Sequence, residues 1–259
     1  MPNHSQAFEQ SNTLTDNQRQ ALMARWQMVK EQITQVCNAK QQSQSVKLTK
    51  STNNIILLAV SKTKSVEMIN TLYQAGQQHF GENYLQEAVE KISQLSELTD
   101  TSKANAMPIV WHYIGHIQRN KTRDIAKHFD WVHTIERDII AKRLNDQRAD
   151  DLSPLNVLIQ VNIDDESRKS GCHPSDVMAL VERIMAYPKL NLRGLMVIPA
   201  KDSTDAFIRT KALFDDISNG YPQLEQWDTL SMGMSGDMEM AINHGSTMVR
   251  VGTAIFGER

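Results

Sequence analysis

Residues 55–76 read IILLAVSKTKSVEMINTLYQAG. The opening run IILLAV is apolar on both faces. That suits a strand of a parallel sheet covered by helices, because an exposed sheet would show one-sided alternation. The following SVEMINTLYQAG is predicted to be a helix closed by Gly76. The stretch is therefore one strand–turn–helix unit, and the turn between its halves is Ser-Lys-Thr-Lys.

The same unit recurs along the chain, although its sequence does not. Strands are predicted over HFGE (79–82), IVWHYIG (109–115), DWVHTIE (130–136), LNVLIQVNID (155–164), NLRGLMVIP (191–199), WDTLSMG (227–233) and TMVRVGTAIFG (247–257), the last with a helical tail. Helices are predicted over 84–95, 118–127, 137–146, 174–187, 203–219 and 237–245, with loops over 40–46 and 98–108. Ahead of the first strand, Leu22, Trp26, Val29, Ile33 and Val36 recur at spacings of three and four, which predicts an additional N-terminal helix. Residues 1–14 are polar and are expected to be a disordered tail. Eight strand–helix alternations predict a (β/α)8 barrel, a TIM barrel, as one domain over 15–259. An open doubly wound sheet is the alternative. Its glycine fingerprint is missing after the first strand.

Composition narrows the function. Apolar residues make up 40% and charged residues 22%, with a net charge of -2 and no basic block. This argues against nucleic acid or an anionic membrane as the main partner. No stretch approaches the roughly 18 apolar residues of a membrane span, and the polar N-terminus has no apolar signal core, so a cytoplasmic protein is expected. Cys37 and Cys172 are far apart and are read as free thiols. Neither HExxH nor CxxC occurs, so no metal site is expected.

Barrel chemistry belongs at the C-terminal ends of the strands, where three features fall. Lys62 follows Val60, Leu58 and Ile56 in the alternation of the first strand. It is read either as a lysine snorkelling to solvent or as an amine able to form a Schiff base. In SMGMSGDMEMAI (231–242) a strand ends and a helix begins near Ser235-Gly236, which offers unpaired amides to an anion, or a plain serine cap. Asp237 and Glu239 would repel a phosphate and should point away from it. In VRVGTAIFG (249–257), Arg250 lies in an apolar strand and requires a partner, either a ligand or a barrel carboxylate. An amine, an anion site and an arginine at one mouth are the set that pyridoxal 5'-phosphate (PLP) requires.

These residues sit in specific motifs: AVSKTK (59–64), FGENYLQE (80–87), WHYIGHIQRNK (111–121), VNIDDESRKSG (161–171), GLMVIP (194–199), SMGMSGDMEMAI (231–242) and VRVGTAIFG (249–257). Over roughly residues 20 to 257 the chain resembles the pyridoxal phosphate homeostasis protein family, whose members are similar to the N-terminal domain of alanine racemase. The resemblance implies a TIM barrel of the alanine racemase N-terminal type. It implies PLP carried on Lys62 as a Schiff base, with the phosphate held by Ser235, Gly236, Gly252 and Thr253 and Arg250 facing the ring nitrogen. Asn83, His112, Met196 and Met232 would line the pocket, and Lys169 would sit at the entrance. Lys64 is the local alternative to Lys62.

Arginine stays protonated, so it would leave the ring nitrogen unprotonated, a poorer electron sink than a carboxylate partner provides. Barrel-type racemases add a C-terminal β-domain with a second catalytic residue, and this sequence ends at Arg259. A PLP carrier without catalytic activity is therefore expected, one that buffers PLP and hands it to apo-enzymes. It is expected to be monomeric. A weakly active PLP-dependent amino-acid racemase is the alternative.

Overall fold

The computed structural model describes residues 14–43, 55–98, 107–201, 203 and 205–258. The tail expected over 1–14 lies outside them except for Leu14, whose amide donates to Glu67 at 2.6 Å. Most of the loop expected over 98–108 also lies outside.

The chain begins with α1 (Asp16–Ser43) and then alternates β1 (Ile56–Val60), α2 (Val66–Gln74), β2 (His79–Glu82), α3 (Leu85–Leu98), β3 (Val110–Tyr113), α4 (Thr122–His128), β4 (Trp131–Ile135), α5 (Asp138–Gln147), β5 (Leu155–Val161), α6 (Val177–Met185), β6 (Leu190–Val197), α7 (Ala206–Gly220), β7 (Thr229–Ser231), α8 (Met238–Asn243), β8 (Met248–Val251) and α9 (Thr253–Phe256). Every neighbouring pair of strands is parallel, and β8 pairs with β1 to close the barrel. The predicted barrel and its additional N-terminal helix are both present.

Two apolar layers follow from strand alternation. Leu58, Trp131, Leu158, Met196 and Met248 fill the barrel interior, with Ile56, Val110 and Ile114 against them. Their strand neighbours, such as Leu57, Ala59, Val157, Leu195 and Val249, join the larger core between sheet and helices. Each large apolar side chain so buried contributes roughly 1.5–3 kcal/mol of transfer free energy. Leu22, Trp26, Val29, Ile33 and Val36 of α1 are all buried in that outer core. Trp26 Nε1 also donates to Gln77 at 2.9 Å, and Gln77 in turn donates to the Leu57 and His79 carbonyls. No helix among the described residues is long and apolar enough to cross a membrane.

The first strand is shorter than its apolar run suggests. It ends at Val60, and Ser61–Lys64 form a tight turn closed by the Lys64 amide on the Ser61 carbonyl at 3.0 Å. Thr63 takes φ 63°, in the left-handed region, so the extended path cannot continue. Lys62 thus stands on a turn above the strand and not within it.

Candidate functional site

The closed order of strands brings the loops after β7, β8 and β1 side by side on one rim of the barrel. The register sets Arg250 of β8 opposite Leu58 of β1, and the Arg250 amide donates to Gly233, just past β7, at 2.9 Å. The turn carrying Lys62 is therefore next to the segment that carries Arg250, Gly252 and Thr253. A Cβ on Gly252 would lie 3.4 Å from the Val60 Cβ and carbonyl oxygen.

The turn is held from below by a buried charge cluster. Lys91 of α3 donates to the Ser61 carbonyl at 2.8 Å, to Glu82 at 2.9 Å and to Glu87 at 2.5 Å. Ser61 Oγ donates to Glu82 at 2.6 Å, and the Thr63 amide donates to Glu87 at 2.5 Å. Burial raises the Glu82 carboxyl, and the adjacent Lys91 offsets part of that rise. Lys64, the local alternative, reaches the Gly257 and Glu258 carbonyls at 3.1 Å each, so its ammonium is engaged with the end of the chain after α9.

Arg250 is 5% exposed. Its Nη1 donates to the Ser231 carbonyl at 2.7 Å and to Ser231 Oγ at 2.9 Å, and its Nη2 donates to the Val197 carbonyl at 2.9 Å. The barrel carboxylate considered as its partner is not among these. Burial lowers the guanidinium to about 10, with Asp237 partly offsetting, so it stays charged at neutral pH. Three of the five guanidinium N–H groups are thereby used, and Nε–H has no acceptor among the described residues.

After β7, the amides and hydroxyl of Ser235-Gly236 have no acceptor among the described residues, and both residues are exposed. A Cβ on Gly236 would meet nothing within 4 Å. Asp237 accepts the Met234 amide at 2.6 Å, so its carboxylate closes the loop on itself, in keeping with the expectation that it avoids an anion. The first-turn amides of α9, at Thr253, likewise lie beyond the reach of intrahelical acceptors. Asn83, at the end of β2, has a buried Oδ1 with no hydrogen-bond partner. These rim amides and the hydroxyl are available to an anion such as a phosphate, and the buried Asn83 Oδ1 to a donor.

Two predicted residues, His112 and Met232, lie away from the mouth. His112 is fully enclosed: its ring bonds His79 and His133 and stacks on Trp131, so it supports the mouth from below and does not line it. Met232 follows the inward-facing Ser231 by one residue, so alternation turns it into the outer core with no exposure. Lys169 lies across the rim, after β5, where Nζ reaches the Ile198 carbonyl at 3.5 Å and Glu166 at 3.4 Å. Met196 packs inside the barrel opposite Ser231. Sequence reading overlooked the Lys91 brace and the interior histidines. A signal for the latter existed, since the second, third and fourth strands each place a histidine at an inward position: His79, His112 and His133. Cys172 is buried and its thiol is pushed up to about 12, which disfavours the reactive thiolate. No group of metal-ligating side chains occurs among the described residues.

Comparison with known proteins agrees with this fold. The family described as alanine racemase, N-terminal domain, matches residues 20–259. The pyridoxal phosphate homeostasis protein of Haemophilus influenzae is 46% identical over 90% of this chain and 93% of its own length. That of Vibrio alginolyticus is 53% identical over 80% of this chain and 87% of its own. Among solved structures, PipY of Synechococcus elongatus with PLP bound aligns with TM-score 0.69 at 30% identity, covering 87% of this chain and 100% of PipY. Barrel and sequence together place the chain in the alanine racemase N-terminal domain family, among its pyridoxal phosphate homeostasis proteins.

Proposed function

We propose that this chain binds PLP at the rim formed by β1, β7 and β8 and acts as a reversible carrier in PLP homeostasis, without turning over a substrate of its own. The observation that carries the reading is the meeting, on adjacent loops, of the Lys62 turn, the acceptor-less Ser235-Gly236 amides and a charged Arg250 already clamped by carbonyls. The PLP-bound PipY structure and the names of the curated relatives support it. When bound, PLP supplies an aldehyde that condenses reversibly with primary amines.

Within the reading, Lys62 provides the amine, and the Lys91–Glu82 brace holds its turn. Ser235, Gly236, Gly252 and Thr253 hold the phosphate through backbone and hydroxyl donors. Arg250 would offer a fixed donor to the ring nitrogen, and because a guanidinium does not give up its proton at neutral pH, it would leave that nitrogen unprotonated. Such a site favours capture and release of the aldehyde over carbanion chemistry. PLP would pass to apo-enzymes from a monomeric, cytoplasmic protein.

The test is the visible spectrum of purified protein with and without added PLP, followed by borohydride reduction and mass spectrometry. The expected adduct is on Lys62, and it is lost in Lys62→Ala. An adduct on Lys64 or Lys169 in place of Lys62 would overturn the assignment. Incubation of the loaded protein with amino acids in deuterated water separates carrier from racemase: Cα exchange at the rate of a true racemase sinks the carrier reading.

A further inference from the structure

The barrel interior holds a continuous polar line that starts at Arg250 and runs away from the rim. Arg250 Nη1 donates to Ser231 Oγ at 2.9 Å, and Ser231 Oγ lies 3.2 Å from His133 Nδ1. His133 Nε2 lies 2.9 Å from His112 Nδ1, and His112 Nε2 lies 2.9 Å from His79 Nδ1. The line runs from β8 through β7 to β4, β3 and β2, and ends at His79, which borders a groove with Trp26 and Gln78 on the other face of the barrel. His112 is clamped in it by Trp131, whose ring lies 5.3 Å away at 15° and is itself covered by Arg193.

Its polarity follows from one group. A guanidinium only donates, so Ser231 Oγ accepts from Arg250; His133 Nδ1 is the hydroxyl's one other partner among the described residues, so only by giving it the proton is the buried hydroxyl's donor satisfied. His133 then carries its proton on Nε2 and donates to His112 Nδ1, and His112 donates from Nε2 to His79 Nδ1. One tautomer is dictated at each ring. Burial, and for His133 the neighbouring Arg250 charge, keep His112 and His133 neutral, as this pattern requires.

We propose that His133, with Ser231 and His112, forms a one-way hydrogen-bond line that positions the Arg250 guanidinium, and through it the donor presented to the PLP ring. Nη1 is held on both the Ser231 carbonyl and hydroxyl, and Nη2 on Val197, so the plane is fixed from two sides and Nε–H keeps one direction. The part concerning PLP rests on the function proposed above; the direction of the line does not.

Nitrogen-15 NMR of the histidines in ligand-free protein tests the line. Nε2–H tautomers at His112 and His133 are expected, and an Nδ1–H tautomer or an imidazolium at His133 would overturn it. For positioning, His133→Leu should weaken PLP binding about tenfold, the scale of one charge-assisted hydrogen bond, and displace the absorption maximum of the Lys62 adduct. His133→Gln, which accepts and donates with similar spacing, should restore both. A folded His133→Leu with wild-type affinity and spectrum would overturn the positioning role. If that variant does not fold, Ser231→Ala takes its place, cutting the line while leaving Arg250 its two carbonyls, and unchanged affinity there overturns the role equally. Wild-type protein that forms no Lys62 adduct would sink the PLP reading while leaving the tautomer result to stand.

Discussion

Gly252 and Gly115 show two different reasons for glycine. A Cβ at Gly115 would sit 2.0 Å from the Asn83 carbonyl oxygen, so the fold itself excludes any side chain there. At Gly252 the nearest atoms would be 3.4 Å away and φ is -113°, which any residue adopts, so the fold tolerates alanine. If Gly252 serves the ligand, Gly252→Ala should change stability by no more than about 0.5 kcal/mol, the range of ordinary surface substitutions. PLP affinity should nonetheless fall at least about tenfold, because a methyl stands where the phosphate must approach the backbone. Thermal melts with PLP titrations check this, and a variant that loses stability but not affinity contradicts it. Lys64, two positions beyond Lys62, reaches the Gly257 and Glu258 carbonyls.

At the scale of elements, the Lys62 turn depends on α3 and β2. Lys91 has a side chain 7% exposed and faces a Glu82 side chain with no exposure. Removing one partner of such a pair leaves an uncompensated buried charge, a loss of about 3–5 kcal/mol. Lys91→Met should approach the lower end, because the Glu82 carboxyl is already raised by burial and can take up a proton. Adding Glu82→Gln to Lys91→Met should recover part of the loss, since a neutral amide still accepts from Ser61. Urea denaturation of the single and double variants measures both, and a double variant less stable than Lys91→Met contradicts the argument.

Across the whole molecule, the interior histidines set the response to acid. His79 is lowered to about 4 by burial, and His112 and His133 are lowered well below the ordinary range for the same reason. An unfolded imidazole titrates near 6.5, so below that pH the unfolded chain binds protons that the fold refuses. Stability is therefore full above about pH 6.5 and declines as pH falls toward 4, by up to about 1.4 kcal/mol per pH unit for each ring. Glu82 and Asp130 act in the opposite sense, because burial raises both carboxyls and the fold holds their protons more tightly. The contribution of one ring is isolated by His79→Gln, whose stability should fall less steeply between pH 6 and 5 by about one proton's worth. An unchanged slope would mean that His79 is already charged in the fold.

Much of this architecture was legible because strand and helix write different periods into a sequence. The doubly apolar runs and the three-and-four spacing predicted all eight strands and the additional helix, with ends off by a few residues. The ends slipped where local apolarity outlasts the ladder, as at Ser61–Lys64, where a left-handed Thr63 stops a strand that hydrophobicity alone would extend. The motifs around Lys62, Ser235 and Arg250 carried the candidate site. They carry neither the face nor the depth of a strand residue: Met232 turns into the outer core, and His112, although inward, lies below the mouth. Nor does local pattern pair Lys91 with Glu82, or line up His79, His112, His133 and Ser231. Lys91 and Glu82 lie nine residues apart on different elements, α3 and β2, and the three histidines come from neighbouring strands, while His133 and Ser231, 98 residues apart, meet only because the closed barrel sets β4 and β7 across one interior.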